Sequence, residues 1–311
     1  MLTLTSVSPQ PLRGTFSAPS KSCSSRRAFR HRSVLARMSW EGVFADGDDG
    51  DTVQAVLLSE GSEVLPPLIE VLVSVRGKKS IRVVKPPGVD ELWQWYEQTG
   101  SREADPSWGK IWETSRALAA CILCETEEER SELGSLNVPT VLGKRIAEVG
   151  CGLGLAGLTA AVFAKSASVV FCDREPVAIH CALSSAAING IEVVACSDLD
   201  TNGGAVKVAG ALLDWAAPQE LSQQVDTVIG ADCLYDPDTA ALLAGACRVL
   251  VRGCGSVVLC EPSKERALGC RQAFLTAAVE HGASRAEVVQ LPPGIIDDNT
   301  CCVLVVAAWE A

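Results

Sequence analysis

Residues Arg145 to Gly157, R-I-A-E-V-G-C-G-L-G-L-A-G, hold the residue pattern most directly suited to chemistry in this chain of 311 residues. Ile146, Ala147 and Val149, with one acid, Glu148, lead into Gly150, Gly152, Gly154 and Gly157. An apolar, alanine-rich run from Leu158 to Ala164 follows. This reads as strand, tight turn and helix, the opening unit of a nucleotide-binding α/β domain. A nucleotide must approach such a turn closely, and a Cβ would block it. The helix start adds N–H groups that have no partner within the helix. Asp173 ends the next apolar run at F-C-D, where a carboxylate can accept both ribose hydroxyls.

Two cofactors compete for this turn. Gly152, Gly154 and Gly157 satisfy G-x-G-x-x-G, and Asp173 follows about 20 residues on, as a dinucleotide site requires. The spacing alone therefore admits NAD. The glycines, however, begin one step earlier, at Gly150, and Glu148 sits inside the strand's end. E-x-G-x-G-x-G with an acid ending the next strand resembles the S-adenosyl-L-methionine loop of class I methyltransferases. A glycine turn used only for packing is the third reading.

The elements that must position these residues alternate. Strands are expected at 145–149, 168–172, 205–212, 225–230 and 255–260, with 190–204 as a long loop or a short extra strand, and helices at 155–165, 175–188, 237–251 and 264–281. Such alternation implies a parallel sheet covered on both faces. The last strands, near 285–290 and 301–308, have no helix between them and can pair antiparallel. A mostly parallel seven-stranded sheet with an antiparallel C-terminal hairpin is the Rossmann-like class I methyltransferase pattern. Upstream, 67–75 and 80–84 flank a turn at Arg76 to Lys79 and read as a β-hairpin. Asp90 is placed as N-cap of a short helix to Thr99, and Trp112 to Cys124 as a second helix. The chain thus divides into 1–40, an acidic irregular linker at 41–66, a hairpin extension at 67–104 and the α/β domain at 105–311.

Four further stretches resemble one family, the seven-β-strand lysine methyltransferases related to the methyltransferase-21 group. These are D-P-S-W-G-K-I-W-E-T-S-R-A-L-A from Asp105, F-C-D-R around Asp173, L-L-D-W from Leu212, and G-A-D-C-L-Y from Gly230 to Tyr235. The resemblance covers roughly residues 105–262, about half the chain. It implies S-adenosyl-L-methionine held by Trp112, Glu148, Gly150, Gly152, Gly154, Asp173, Asp214, Trp215 and Ala231, with Asp232 and Tyr235 as the catalytic pair. Ala216 departs from the glycine that often follows D-W in the family. Asp173 would otherwise cap the next helix, the two tryptophans would otherwise be core, and Asp232 and Tyr235 would otherwise shape a turn and close a pocket. Glu261, Pro262 and Ser263 are expected on the same rim. The family implies a protein substrate presenting a lysine; a small-molecule amine, a cofactor-binding protein without turnover, and an NAD-dependent oxidoreductase are the rivals.

Composition bounds these readings. The chain is 48% hydrophobic and 21% charged, enough for a sizeable core. No apolar run approaches 18 residues, so no membrane span is expected. Residues 1–40 hold no acid, seven bases and many Ser and Thr, the composition of an organellar transit peptide; the late Arg cluster favours the chloroplast over the mitochondrion, and a basic tail that leaves the protein in the cytoplasm is the other reading. Without them, 20 Lys and Arg face 38 Asp and Glu, a balance of −18. An acidic body argues against nucleic acid and suits a cationic partner. Of the 14 cysteines, Cys121 and Cys124 form C-x-x-C with no second pair at zinc spacing, and only three His are present, so no metal is expected. Two calcium-loop near-matches, at 42–54 and Asp198 to Gly203, lack the oxygen side chain required at position twelve.

Overall fold

The computed structural model describes residues 65–101, 104–124, 138–199, 204–218, 224–291 and 301–310, with a few positions between 128 and 133 and the backbone of three short strands nearer the amino terminus. The transit-peptide segment 1–40, most of the acidic linker, most of the charged stretch Thr126 to Glu132, the latter part of the second calcium-like loop and the connection 292–300 lie outside the described residues.

Strands β1 (Val43–Phe44) and β2 (Val53–Gln54) pair antiparallel. Strand β3 (Val56–Ser59) adds to the expected hairpin of β4 (Leu68–Arg76) and β5 (Lys79–Lys85), which makes it a three-stranded sheet. Part of the segment read as irregular linker is thus strand. The free edge of β5 is covered by the helix after β7. Ser185 Oγ accepts from the Val84 N–H at 2.8 Å, and Asn189 exchanges hydrogen bonds with the Arg82 backbone at 3.2 and 2.7 Å. Pairing an exposed edge with side chains removes its capacity to recruit another strand.

Helix α1 (Val89–Thr99) begins after Gly88, so Asp90 lies in the first turn and is not the N-cap. A short 3-10 turn at Pro106–Gly109 precedes α2 (Glu113–Ile122), with Trp112 as its N-cap. The α/β alternation then runs β6 (Arg145–Val149), α3 (Leu155–Val162), β7 (Ser168–Asp173), α4 (Pro176–Ile188), a two-residue β8 (Glu192–Val193), β9 (Lys207–Leu212), β10 (Val225–Ala231), α5 (Pro237–Leu250), β11 (Val251–Pro262), α6 (Cys270–Glu280), β12 (Arg285–Gln290) and β13 (Cys302–Ala308).

The large sheet has the order β12-β13-β11-β10-β6-β7-β9-β8. Six strands run parallel and β12 pairs only with β13, which lies antiparallel between it and β11. Seven strands are those expected, and β8 adds a short eighth at the edge. Both faces are covered, as alternation along single strands shows. Val169 and Phe171 join one core with α2, α3, α4 and the N-terminal sheet, while Val170 and Cys172 join the other with α5 and α6.

Helix α6 starts six residues later than expected. Gly269 stands before it at φ +89°, and Glu265 accepts from the Gly269 and Arg271 N–H groups at 3.2 and 2.9 Å. The side chain of Glu265 takes helix donors that a preceding turn would otherwise satisfy. Residues 263–269 therefore form an irregular rim above β11.

Candidate active site

Strand order reverses between β6 and β10: the chain moves from β6 toward β9, then returns to β10 and β11. Ligands of open α/β sheets bind at such a switch point, outside the strands' carboxyl ends. A cleft of about 530 Å³ opens there, and all eleven residues singled out from the sequence line it.

The glycine turn forms the floor. Gly152 sits at φ +49°, and a Cβ there would stand 3.1 Å from the Trp108 carbonyl oxygen. Its N–H donates to Asp173 Oδ2 at 2.9 Å, so the turn is tied to the end of β7. Gly150 and Gly154 also take left-handed φ values. Gly157 answers a different need. It lies inside α3, where a Cβ would come within 2.6 Å of Glu148 Oε2 and 2.7 Å of the Phe171 ring. Glu148 Oε2 accepts from the Gly157 N–H at 2.8 Å. The Glu148 carboxyl thus caps the start of α3, although the residue lines the cleft. Burial pushes its pKa up to about 8, against the lowering effect of its backbone hydrogen bonds.

Asp173 is also buried, and burial raises its pKa from the ordinary aspartate value against the lowering effect of its backbone hydrogen bonds. Its Oδ1 accepts from the Glu175 N–H at 3.0 Å. Glu175, not Asp173, is the N-cap of α4. Both Asp173 oxygens accept from backbone donors, and a carboxylate offers about four acceptor sites, so capacity for a ligand hydroxyl remains. After β9, Asp214 Oδ1 accepts from the Ala216 N–H at 2.9 Å, holding the turn that presents Trp215. The Trp215 and Tyr235 rings lie 6.2 Å apart at 38°.

Ala231 ends β10 and Asp232 follows at φ +55°, a strained setting for a residue with a Cβ. Its N–H donates to the Cys260 carbonyl at 3.0 Å. The side chain is 6% exposed and is paired by Arg266: Nε donates to Oδ1 at 2.8 Å and Nη2 to Oδ2 at 2.5 Å. Thr114 Oγ1 donates to Oδ2 at 3.4 Å. The Arg266 guanidinium also lies 5.1 Å from the Trp112 ring, and Lys110 Nζ lies 5.1 Å from that ring. Trp112 is fixed by its indole N–H, which donates to the Ser107 carbonyl at 3.1 Å. Tyr235 is 47% exposed at the cleft mouth, and partial burial raises its pKa, so the phenol stays neutral near pH 7.

Sequence reasoning misplaced one group and missed another. Glu261 is 1% exposed; its Oε1 accepts from the Cys233 N–H at 2.9 Å, and Oε2 has no hydrogen-bond partner among the described residues. Burial pushes its pKa up to about 8. It belongs to the expected rim triplet but supports the 232–235 turn from beneath. Arg266 was hidden inside an expected helix. His180 and His281 lie outside the cleft, both exposed.

The cleft fits S-adenosyl-L-methionine in size and in donor set. Its volume falls in the range of small-molecule sites, and Gly150, Gly152, Gly154 and the Asp173 carboxylate line it. Comparison with known proteins agrees. A family model described as lysine methyltransferase matches residues 97–278. Two human relatives, FAM86B1 and FAM86B2, whose names assign them only provisionally as protein N-methyltransferases, are each 30% identical over 112 residues. That match covers 35% of this chain and 33% of each relative, so the chain spans about a third of the relatives' length. Among solved structures, a TehB-like S-adenosylmethionine-dependent methyltransferase from Corynebacterium glutamicum aligns at TM-score 0.41 and 14% identity, over 71% of this chain and 98% of that one. The N-methyltransferase NodS from Bradyrhizobium japonicum aligns at 0.40 and 17%, over 64% and 97%. The family model matches more than half of the chain and places it in the lysine methyltransferase family.

Proposed function

We propose that this chain transfers a methyl group to the side-chain nitrogen of a lysine on a protein substrate. The observation that carries this reading is the open end of the cleft, where the half-exposed Tyr235 stands beside the buried, cation-bearing Asp232. Bound S-adenosyl-L-methionine supplies a methyl group on a cationic sulfonium. The protein's task is then positioning, since methyl transfer is an in-line displacement needing a neutral amine with its lone pair aimed along the line. A lysine amine has a pKa of about 10.4 in water and must arrive without its proton.

Each residue has a part in that task. Asp173 would accept the ribose hydroxyls, and Gly150, Gly152 and Gly154 line the wall against which the ligand would lie. Trp215 flanks the adenine. Trp112 offers its face to positive charge, an interaction worth about 0.5–2 kcal/mol. Asp232 attracts the basic side chain, and the Tyr235 hydroxyl orients the nitrogen. The strongly acidic body supports a basic protein partner. The composition of residues 1–40 supports a chloroplast destination.

The test is methyl transfer from labelled S-adenosyl-L-methionine into a chloroplast protein extract, followed by acid hydrolysis. Label recovered as methyl-lysine supports the reading. Label found only in the small-molecule fraction overturns the protein substrate, and no label despite cofactor binding favours a binding protein without turnover.

A further inference from the structure

Asp232 is a buried carboxylate with both oxygens turned to one partner, and that partner comes from the solvent side. Arg266 is not among the residues that line the cleft, whereas Asp232 and Trp112 are. It reaches them from the irregular 263–269 rim, and its side chain is 44% exposed where that of Asp232 is 6% exposed. The guanidinium satisfies the carboxylate with two hydrogen bonds and lies against the face of Trp112. A carboxylate and an aromatic face around one cation are what a binding site for a basic side chain requires.

We infer that Asp232, Trp112 and Thr114 form the acceptor subsite and that the chain's own Arg266 fills it until the substrate's basic side chain displaces it. The inference rests on the lysine methyltransferase reading and deepens it. Without Arg266, the Asp232 carboxylate would keep, among the described residues, the long 3.4 Å hydrogen bond from Thr114. A buried carboxylate left so poorly paired draws in any cation that can reach it. Displacement is feasible because the anchor of this rim is a different residue. Glu265 accepts from Gly269 and Arg271, so the Arg266 side chain can swing into water while the start of α6 stays closed. Acceptors unable to replace a bidentate guanidinium would be excluded, so Arg266 sets a threshold of affinity that selects among basic side chains.

The experiment compares binding of N-acetyl-lysine methylamide with that of its uncharged norleucine analogue, by calorimetry, to full-length protein saturated with S-adenosylhomocysteine. Wild type, Arg266→Gln and the double variant Arg266→Gln/Asp232→Asn are compared. The expected result is about tenfold or greater tightening for the lysine probe in Arg266→Gln, no change for the norleucine probe, and loss of the gain in the double variant. Equal or weaker binding of the lysine probe by Arg266→Gln, or equal tightening for both probes, would overturn the inference while leaving the methyltransferase reading intact. S-adenosylhomocysteine binding to each variant reports that it is folded; failure to bind in wild type would overturn the underlying reading and the subsite with it.

Discussion

Glu148 Oε2 accepts a 2.8 Å hydrogen bond from the backbone N–H of Gly157, joining the acid near the end of β6 to a glycine in the first turn of α3. The glycine therefore serves the protein's own packing before it serves any ligand. In Gly157→Ala the new methyl meets Glu148, Phe171 and Val169 at 2.6–3.0 Å. Alanine gains about 1 kcal/mol of helix propensity, but overpacking costs about 1–3 kcal/mol. Net destabilisation with weakened S-adenosylhomocysteine binding is expected, measured by denaturant unfolding and calorimetry. A neutral or stabilising effect would show that the pair has room to relax.

Two buried acids give stability a definite pH dependence. Burial raises Glu148 and Glu261 from an ordinary 4.5 to about 8. The folded state thus holds protons that the unfolded chain has lost. The stability these groups contribute is complete below about pH 4.5 and declines as pH rises toward 8, each adding a slope of up to about 1.4 kcal/mol per pH unit. Above the folded pKa the loss is complete and the slope ends. Glu148→Gln should flatten the decline across that window. Urea midpoints from pH 5 to pH 9 measure it, and an unchanged slope would mean that Glu148 is not a source of the dependence.

Removing the Tyr235 hydroxyl separates binding from turnover. Tyr235→Phe keeps the ring beside Trp215 and should leave S-adenosylhomocysteine affinity unchanged. A lost hydrogen bond of about 1–3 kcal/mol corresponds to a fall in kcat of roughly 10- to 100-fold. Steady-state kinetics on a methylated protein substrate check this. Undiminished kcat would remove the hydroxyl from the mechanism.

How much of this was legible in the sequence follows from the range of the interactions involved. The glycine turn, the strand alternation and the antiparallel ending are local or periodic patterns, so a mostly parallel sheet with an antiparallel ending was legible, while the eleven cleft residues came from the family resemblance. The direction of the Glu148 carboxyl could not, because its partner nine residues on is chosen by packing against Phe171. The late start of α6 depends on Glu265 folding back onto Gly269 and Arg271, which displaced a helix expected from 264. That error concealed Arg266, whose partner Asp232 is 34 residues away. The strand at Val56–Ser59 was read as linker because acidic, glycine-rich residues precede it, whereas pairing with β4 decides its state.

The amino-terminal segment is testable without reference to the fold. Residues 1–40 joined to a fluorescent protein are expected to deliver it to chloroplasts. Delivery to mitochondria or retention in the cytoplasm would refute the chloroplast proposal.

The central claim, that this cleft is an S-adenosyl-L-methionine site held by Asp173, is tested most directly by thermal stabilisation with S-adenosylhomocysteine against NADH. A ligand at 100 times its dissociation constant adds about 2.7 kcal/mol to the folded state. The predicted result is stabilisation of residues 41–311 by S-adenosylhomocysteine, abolished in Asp173→Ala and absent with NADH. Stabilisation by NADH alone, or by S-adenosylhomocysteine equally in Asp173→Ala, would contradict the account.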